Sequence, residues 1–338
     1  MYTQQNEKTA ERSFDFGLEI VKNFEPTKEF SVNDGTVTDL SLSPNGLEMV
    51  LAADDDLILY YNMTDGHLIR NVDSKKYGVK LLQYVENANC IHSSTRIDNG
   101  IRYLSLHESK YIRYFMGHTD EVNCVQTCPR GNQFISSSYD KCIRFWDLRS
   151  ASNTGFLHLR QVPIVAYDPE GIVFAVAYGN ETISLFDVRS VDIGPFKKFK
   201  IQCDSLDGNW DRLNFSPCGK LIHISTTGSN VLVVDAYTGE LKFVLQSYRH
   251  PQNLTVRSTI TPDSKYIAIG NSDRAINFYS MENGALAYHM PTTHLEGPHL
   301  ITFGKSHLWM ASVSKRMILW CAPEEYLDEV IDEKERKN

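Results

Sequence analysis

Apolar residues in this chain come in short runs separated by turn-forming residues. The stretch 117–149 (GHTDEVNCVQTCPRGNQFISSSYDKCIRFWDLR) shows the pattern most clearly. Val122, Cys124 and Val125 form a first run, and Pro129-Arg130-Gly131-Asn132 a turn. Phe134 and Ile135 lead into Ser136, Ser137 and Ser138, and Tyr139-Asp140-Lys141 makes a second turn. Ile143, Phe145 and Leu148 form a third run. Runs this short, rich in β-branched and aromatic residues, predict antiparallel strands. Branched side chains pack well on a pleated surface, and the bounding Pro, Gly, Asn and Asp favour tight turns.

The pattern repeats. A turn of the form S-P-x-G recurs as Ser43-Pro44-Asn45-Gly46, Cys128-Pro129-Arg130-Gly131, Asp168-Pro169-Glu170-Gly171, Ser216-Pro217-Cys218-Gly219 and Thr261-Pro262-Asp263-Ser264. The first proline interval is about twice the others, and Glu86-Asn87-Ala88-Asn89 stands where a proline is missing. A later turn recurs as well. Asp54, Asp98, Asp140, Asn180 and Asp273 each precede an apolar run, such as Leu57-Ile58-Leu59-Tyr60 or Ile276-Asn277-Phe278-Tyr279. The fifth repeat has Val231 to Asp235 in this place, and the last has Met317-Ile318-Leu319-Trp320.

A period near 40–45 residues, opened by Gly117-His118 and closed by Trp146-Asp147, resembles the WD40 repeat, a four-stranded propeller blade. The expected fold is all-β: a seven-bladed WD40 β-propeller over residues 14–322. Its blades are expected at about 35–72, 73–109, 110–154, 155–199, 200–245, 246–290 and 291–322. Residues 18–24 are partly apolar and are expected to supply the missing strand of the last blade, which closes the ring and removes an exposed sheet edge. Residues 1–13 are polar and predict a disordered arm. In the charged tail 323–338, Tyr326, Leu327, Val330 and Ile331 fall at helical spacing, which suits a solvated terminal helix or a partner-binding one.

The resemblance to WD40 repeats implies a role for four residues. In that family a His, a Ser or Thr, the turn Asp and the Trp form one hydrogen-bonded chain inside the blade. The matching positions are His118, Ser136, Asp140 and Trp146. A buried His or Asp is costly unless paired in this way. The same residues read as a catalytic triad fail, because their polar groups are spent on holding one blade together.

Composition narrows the function. The 338 residues carry a formal charge of −8, which disfavours direct nucleic-acid binding through a basic surface. Seven cysteines are scattered singly, and Cys124 and Cys128 alone are close, so buried free thiols in a reducing compartment are expected. No charged-then-apolar leader is legible and no run approaches the ~20 apolar residues of a membrane span, so no membrane contact is expected. The sequons at Asn62, Asn180 and Asn253 are then chance matches. There is no phosphate-cradling Gly-rich loop, no H-E-x-x-H, no G-x-S-x-G and no spaced metal-ligand set, so neither an enzyme nor a cofactor is expected. A propeller enzyme or small-ligand sensor needs polar residues converging on the central channel, and no such set is visible along the chain.

A series of segments goes beyond the fold. In order these are residues 74–79 (SKKYGV), 101–107 (IRYLSLH), 110–115 (KYIRYF) before Gly117-His118, 167–171 (YDPEG) with Phe174-Ala175, 194–196 (GPF), 235–239 (DAYTG) and Thr261-Pro262-Asp263. Together they resemble the WD-repeat subunit of Set1-type (COMPASS) histone H3 lysine-4 methyltransferase complexes, the Swd2-like family, over residues 20–320. The resemblance implies a non-enzymatic nuclear scaffold. It would bind the N-terminal region of the methyltransferase and link it to RNA polymerase II with a phosphorylated C-terminal domain. It also implies a place in phosphatase-targeting or cleavage, polyadenylation and termination complexes. Ubiquitin-ligase substrate adaptors are another common use of such discs.

Candidate contacts follow from exposed positions. The residue before each turn Asp faces one side of a propeller: Ile97, Tyr139 and Ser272. Tyr139 is the strongest, as an exposed Tyr is a common hot spot, unless it packs beside Asp140. Lys75, Lys76 and Tyr77 can meet an acidic or phosphorylated peptide through charge and a ring, or form a solvated strand entry whose Tyr packs inward. The run Lys197, Lys198 and Lys200 reads as a solvated surface.

Overall fold

The structure, a computed structural model, describes residues 16–31, 35–203, 206–304, 308–323 and 325–326. Its strands form seven four-stranded antiparallel sheets. Six are simple meanders at 37–73, 82–115, 122–158, 163–200, 210–246 and 259–291. The seventh joins three C-terminal strands within 300–321 to Glu25–Ser31 from the start of the chain. The first strands of neighbouring blades pack against one another around a central channel. The fold is the seven-bladed propeller expected from the repeats.

The turns that carry the repeat signal have a common geometry. Gly46, Gly171 and Gly219 donate their N–H groups to the carbonyls of Ser43, Asp168 and Ser216, three residues back. All three glycines have positive φ, 63° to 72°, which side chains disfavour. Ser264 takes the same place with φ 59°, a strained position for a residue with a Cβ.

Packing explains why the second strands are almost continuously buried. Among the described residues, seven buried clusters each join two consecutive blades. One links Met49, Leu51 and Tyr61 of blade one to Trp309, Ala311 and Met317 of blade seven. Another links Phe115 of blade two to Phe134 and Trp146 of blade three. Each sheet is thus covered on both faces, so its middle strands lose the usual alternation. The outer strands keep it: Lys110–Phe115 alternates exposed and covered positions until the buried Phe115.

The structure corrects three expectations. Residues 18–24 do not form the closing strand. Leu18–Lys22 is a short α-helix, and the closing strand is Glu25–Ser31, paired antiparallel to Arg316–Cys321 with Phe30 opposite Met317. An outermost strand is largely solvated, so a polar segment with one buried residue, Phe30, fills that role. The apolar segment before it instead buries Phe16, Ile20, Val21 and Phe24 against Phe303 and Trp320 at the junction of blades six and seven. Second, Lys110–Phe115 and Asn153–His158 are the outer strands of blades two and three, not the opening strands of the blades that follow. Third, the channel does gather charged groups, described below. The arm 1–13 and most of the tail lie outside the described residues. Tyr326 of the tail packs beside this helix, its hydroxyl 3.5 Å from the Glu19 carbonyl oxygen.

Candidate functional site

The structure brings His118, Ser136, Asp140 and Trp146 into one chain of hydrogen bonds. His118 Nδ1 lies 2.8 Å from Asp140 Oδ2, and His118 Nε2 2.8 Å from Ser136 Oγ. Trp146 Nε1 donates to Ser136 Oγ at 2.8 Å. Burial pushes the His118 imidazole below its ordinary value, against the opposing pull of Asp140. Burial also works to raise the Asp140 carboxyl. Hydrogen bonds from His118 and from the Cys142 and Thr119 N–H groups outweigh it, and the carboxyl is held low. A neutral imidazole between a carboxylate and a hydroxyl fixes every proton: indole to Ser136, Ser136 to Nε2, Nδ1 to Asp140. Ser136 is wholly buried, so its oxygen meets no substrate.

Blade seven holds a second such set that the sequence reading missed. His294 Nε2 and Trp320 Nε1 both lie 2.7 Å from Ser312 Oγ, and Ser314 Oγ lies 3.0 Å from His294 Nδ1. Ser314 stands in for the carboxylate. The signal was the distance from His294 to Trp320, close to that from His118 to Trp146. It was hidden because no Gly precedes the His and Cys321 follows the Trp.

The candidate contacts fall on one face. In a four-stranded meander, the linkers between blades and the loops joining second to third strands share a side, here the upper face. Lys75, Lys76 and Tyr77 lie in the linker from blade one to blade two, Ile97 and Tyr139 in the upper loops of blades two and three, and Ser272 in that of blade six. Ile97 is 58% exposed and Tyr139 46%. Ser272 is exposed too but stands away from the other five around the ring. Lys75 Nζ is 3.1 Å from Asp73 Oδ2. Tyr77 is half-buried, edge-on to Tyr111 at 5.0 Å, with the Lys76 ammonium 5.0 Å from its ring centre.

Beneath them lies a residue the sequence reading did not single out. Arg102 is 1% exposed, and its guanidinium sits 4.4 Å from the Tyr77 ring and 5.0 Å from the Tyr114 ring. Asp98 Oδ2 accepts from its Nη2 at 2.6 Å. Two tyrosine rings facing one cation resemble a cage for a ligand cation, but here the chain's own arginine fills it.

The channel is crossed by two arginines. Arg257 of blade six pairs with Asp39 of blade one and donates to the Thr38 carbonyl at 3.3 Å. Arg212 of blade five donates to the Asn123 carbonyl of blade three at 3.0 Å and lies 3.3 Å from Asp211. They line a cavity of about 330 Å³ with Gln83, Gln126 and Asn214. Each guanidinium has its own carboxylate, so they act as ties across the ring. Among the described residues, no group of three or more His, Cys, Asp or Glu is placed to hold a metal.

Comparison with known proteins places this architecture. The model of the WD domain, G-beta repeat, matches residues 109–147, the stretch that contains the His118 set. WD repeat-containing protein 82 of Drosophila melanogaster is 37% identical over 307 residues, 90% of this chain and 96% of that protein. COMPASS component SWD2 of Saccharomyces cerevisiae is 33% identical over 73% of this chain and 76% of its own length. The chain belongs to the Swd2-like family of WD40-repeat proteins. Set1 complex component swd2 of Schizosaccharomyces pombe, 30% identical over 78% of this chain and 77% of its own, is a further relative. These three relatives match 73–90% of this chain, well beyond one repeat.

Proposed function

We propose that this chain is a non-catalytic scaffold subunit of a Set1/COMPASS-type histone H3 lysine-4 methyltransferase complex and works in the nucleus. The observation that carries the reading is its family. Relatives named as Set1 and COMPASS components match about three quarters of the chain or more. The geometry fits that class. Its His–Asp–Ser set is internally satisfied, its channel arginines are paired, and its upper face presents Ile97, Tyr139 and Tyr114 to partners.

In this reading the disc binds the N-terminal region of the methyltransferase and, through Lys75, Lys76 and Tyr77, a phosphorylated RNA polymerase II C-terminal domain. His118, Ser136, Asp140 and Trp146 hold blade three in shape, and Tyr139 and Ile97 make contacts. Affinity purification with mass spectrometry tests it. A Set1-type methyltransferase should co-purify, and H3 lysine-4 trimethylation should fall on depletion. Recovery of polyadenylation, termination or phosphatase-targeting factors without a methyltransferase would assign the chain to that machinery instead. Normal trimethylation after complete loss would sink the proposal.

A further inference from the structure

Arg102 carries donors that the fold does not use. Among the described residues, Nη2 has Asp98, but Nε has no partner and Nη1 meets only the Met116 sulfur, at 3.7 Å. A thioether is a weak acceptor, and an arginine offers five N–H groups. The equivalent Arg144 of blade three also leaves a buried Nε unpaired among the described residues, although the residue as a whole is partly exposed.

The cover over Nη1 is thin. Met116 follows the outer strand Lys110–Phe115 and is 53% exposed. Gly100 keeps the space beneath it open: a Cβ there would lie 2.4 Å from Arg102 Nη1 and 2.6 Å from Met116 Sδ. Methionine is unbranched and repacks easily. Around it stand Ile97 and the Tyr114 ring, 42% exposed. Lys76, over Tyr77, has no ion-pair partner among the described residues. The Asp98 carboxylate matches one of the two cations, so the patch holds a positive charge unmatched by its own residues, in a chain that is acidic overall.

We propose that Met116 is a displaceable cover over Arg102, and that this patch docks a partner segment carrying a carboxylate beside an apolar side chain. The carboxylate replaces the thioether at Nη1, where a charge-assisted hydrogen bond forms away from water. The apolar neighbour packs on Ile97 and Tyr114, and Lys76 adds a second positive charge to the patch that meets the carboxylate. A methylated lysine does not fit, because Arg102 already occupies the space between the tyrosines. The partner's identity rests on the scaffold reading: the segment belongs to the methyltransferase. The anchor itself does not depend on that reading.

Two measurements on the full chain separate these claims. The first compares Met116→Glu with Met116→Gln, which gives Arg102 a tethered carboxylate or its neutral match. The Glu variant is expected to melt about 2–4 °C higher at pH 7, with the gap shrinking below about pH 5 and lost only well below about pH 4, as the carboxyl held low by Arg102 protonates. Equal melting of the two would show that no acid reaches Arg102 from this side, and the anchor is overturned. The second titrates overlapping peptides from the N-terminal region of a Set1-type methyltransferase by fluorescence anisotropy. Wild type and Met116→Ala should bind alike, and Met116→Glu at least about tenfold more weakly, a loss of the size seen when an interface charge pair is blocked. Binding by Met116→Glu at wild-type strength overturns the docking claim. If wild type binds no peptide while the Glu–Gln gap is present, the methyltransferase reading fails and the anchor stands on its own test.

Discussion

Blades two and three put different chemistry on the same scaffold positions. By strand register, His92 and Arg102 face each other in blade two as Ser136 and Arg144 do in blade three. Leu104 stands where Trp146 does, and Asp98 where Asp140 does. Both aspartates accept a backbone N–H two residues on at 2.8 Å. In blade three the carboxylate is taken by a neutral histidine, and every donor down to the indole has an acceptor. In blade two it is taken by a cation, and among the described residues His92 Nε2 and Arg102 Nε are left buried without partners. A complete internal set holds a blade together. An incomplete one has capacity left for something outside it.

That contrast can be broken or sharpened. Trp146→Ala should have the largest effect, a loss of about 3–5 kcal/mol from burial and cavity together. Denaturant titration should place it above Leu104→Ala at the matching position, because it also strips Ser136 of a donor. Equal losses would mean that the hydrogen-bonded set adds little.

The two aspartates come next, and the order expected is not the one the repeat signature suggests. Asp98→Ala leaves a buried guanidinium without its carboxylate and should cost about 3 kcal/mol. Asp140→Ala leaves a neutral imidazole N–H unpaired and should cost about 1–2 kcal/mol. Melting curves in which Asp140→Ala is the more damaging, or harmless, would reverse the assignment.

Acid sharpens the contrast further. Burial pushes His92 down to about 4, and likewise His223 and His294. The unfolded chain, with histidines near 6.5, binds more protons than the folded one between those values. Stability therefore falls as pH drops from 7 toward 4, by roughly 0.5–1 kcal/mol per such histidine in the first unit. His92→Gln should flatten that fall more than His118→Gln, because the Asp140 carboxylate offsets part of the burial penalty on His118, whereas His92 has the Ser93 carbonyl for this and the Arg102 charge pushes it further down. The urea midpoint measured from pH 7 to 5 decides. Smallest of all, Tyr139→Ala and Ile97→Ala should change stability by less than about 0.5 kcal/mol while weakening partner capture.

Much of this was legible in the residues. The proline turns and aspartate turns marked the repeats because a left-handed turn residue must be Gly or a tolerant substitute, and among the described residues that constraint recurs in blades one to six. The four residues of blade three were identifiable because a family signature names them. The rest depended on what sequence order hides. An outer strand such as Glu25–Ser31 is polar because water covers most of it, so hydrophobicity pointed to the helix next door. Arg257 meets Asp39, and Arg212 meets the Asn123 carbonyl, only because blades apart in the ring face one channel. Arg102 sits in an ordinary strand pattern, and its missing acceptor is a property of three dimensions. His294 was overlooked because a serine does the work of an acid beside it.

The closing strand has a bearing on how the molecule is made. Residues 25–31 leave the ribosome well before residues 316–321, with which they pair. Such a distant pairing forms slowly and cannot form sooner. Until then the first segment waits without that partner, and the nascent arc keeps open edges at both ends, where stray strands can attach. Blade seven is thus the last part of the ring to be completed. A ribosome that stalls before residue 316 releases an open arc rather than a slightly shortened disc.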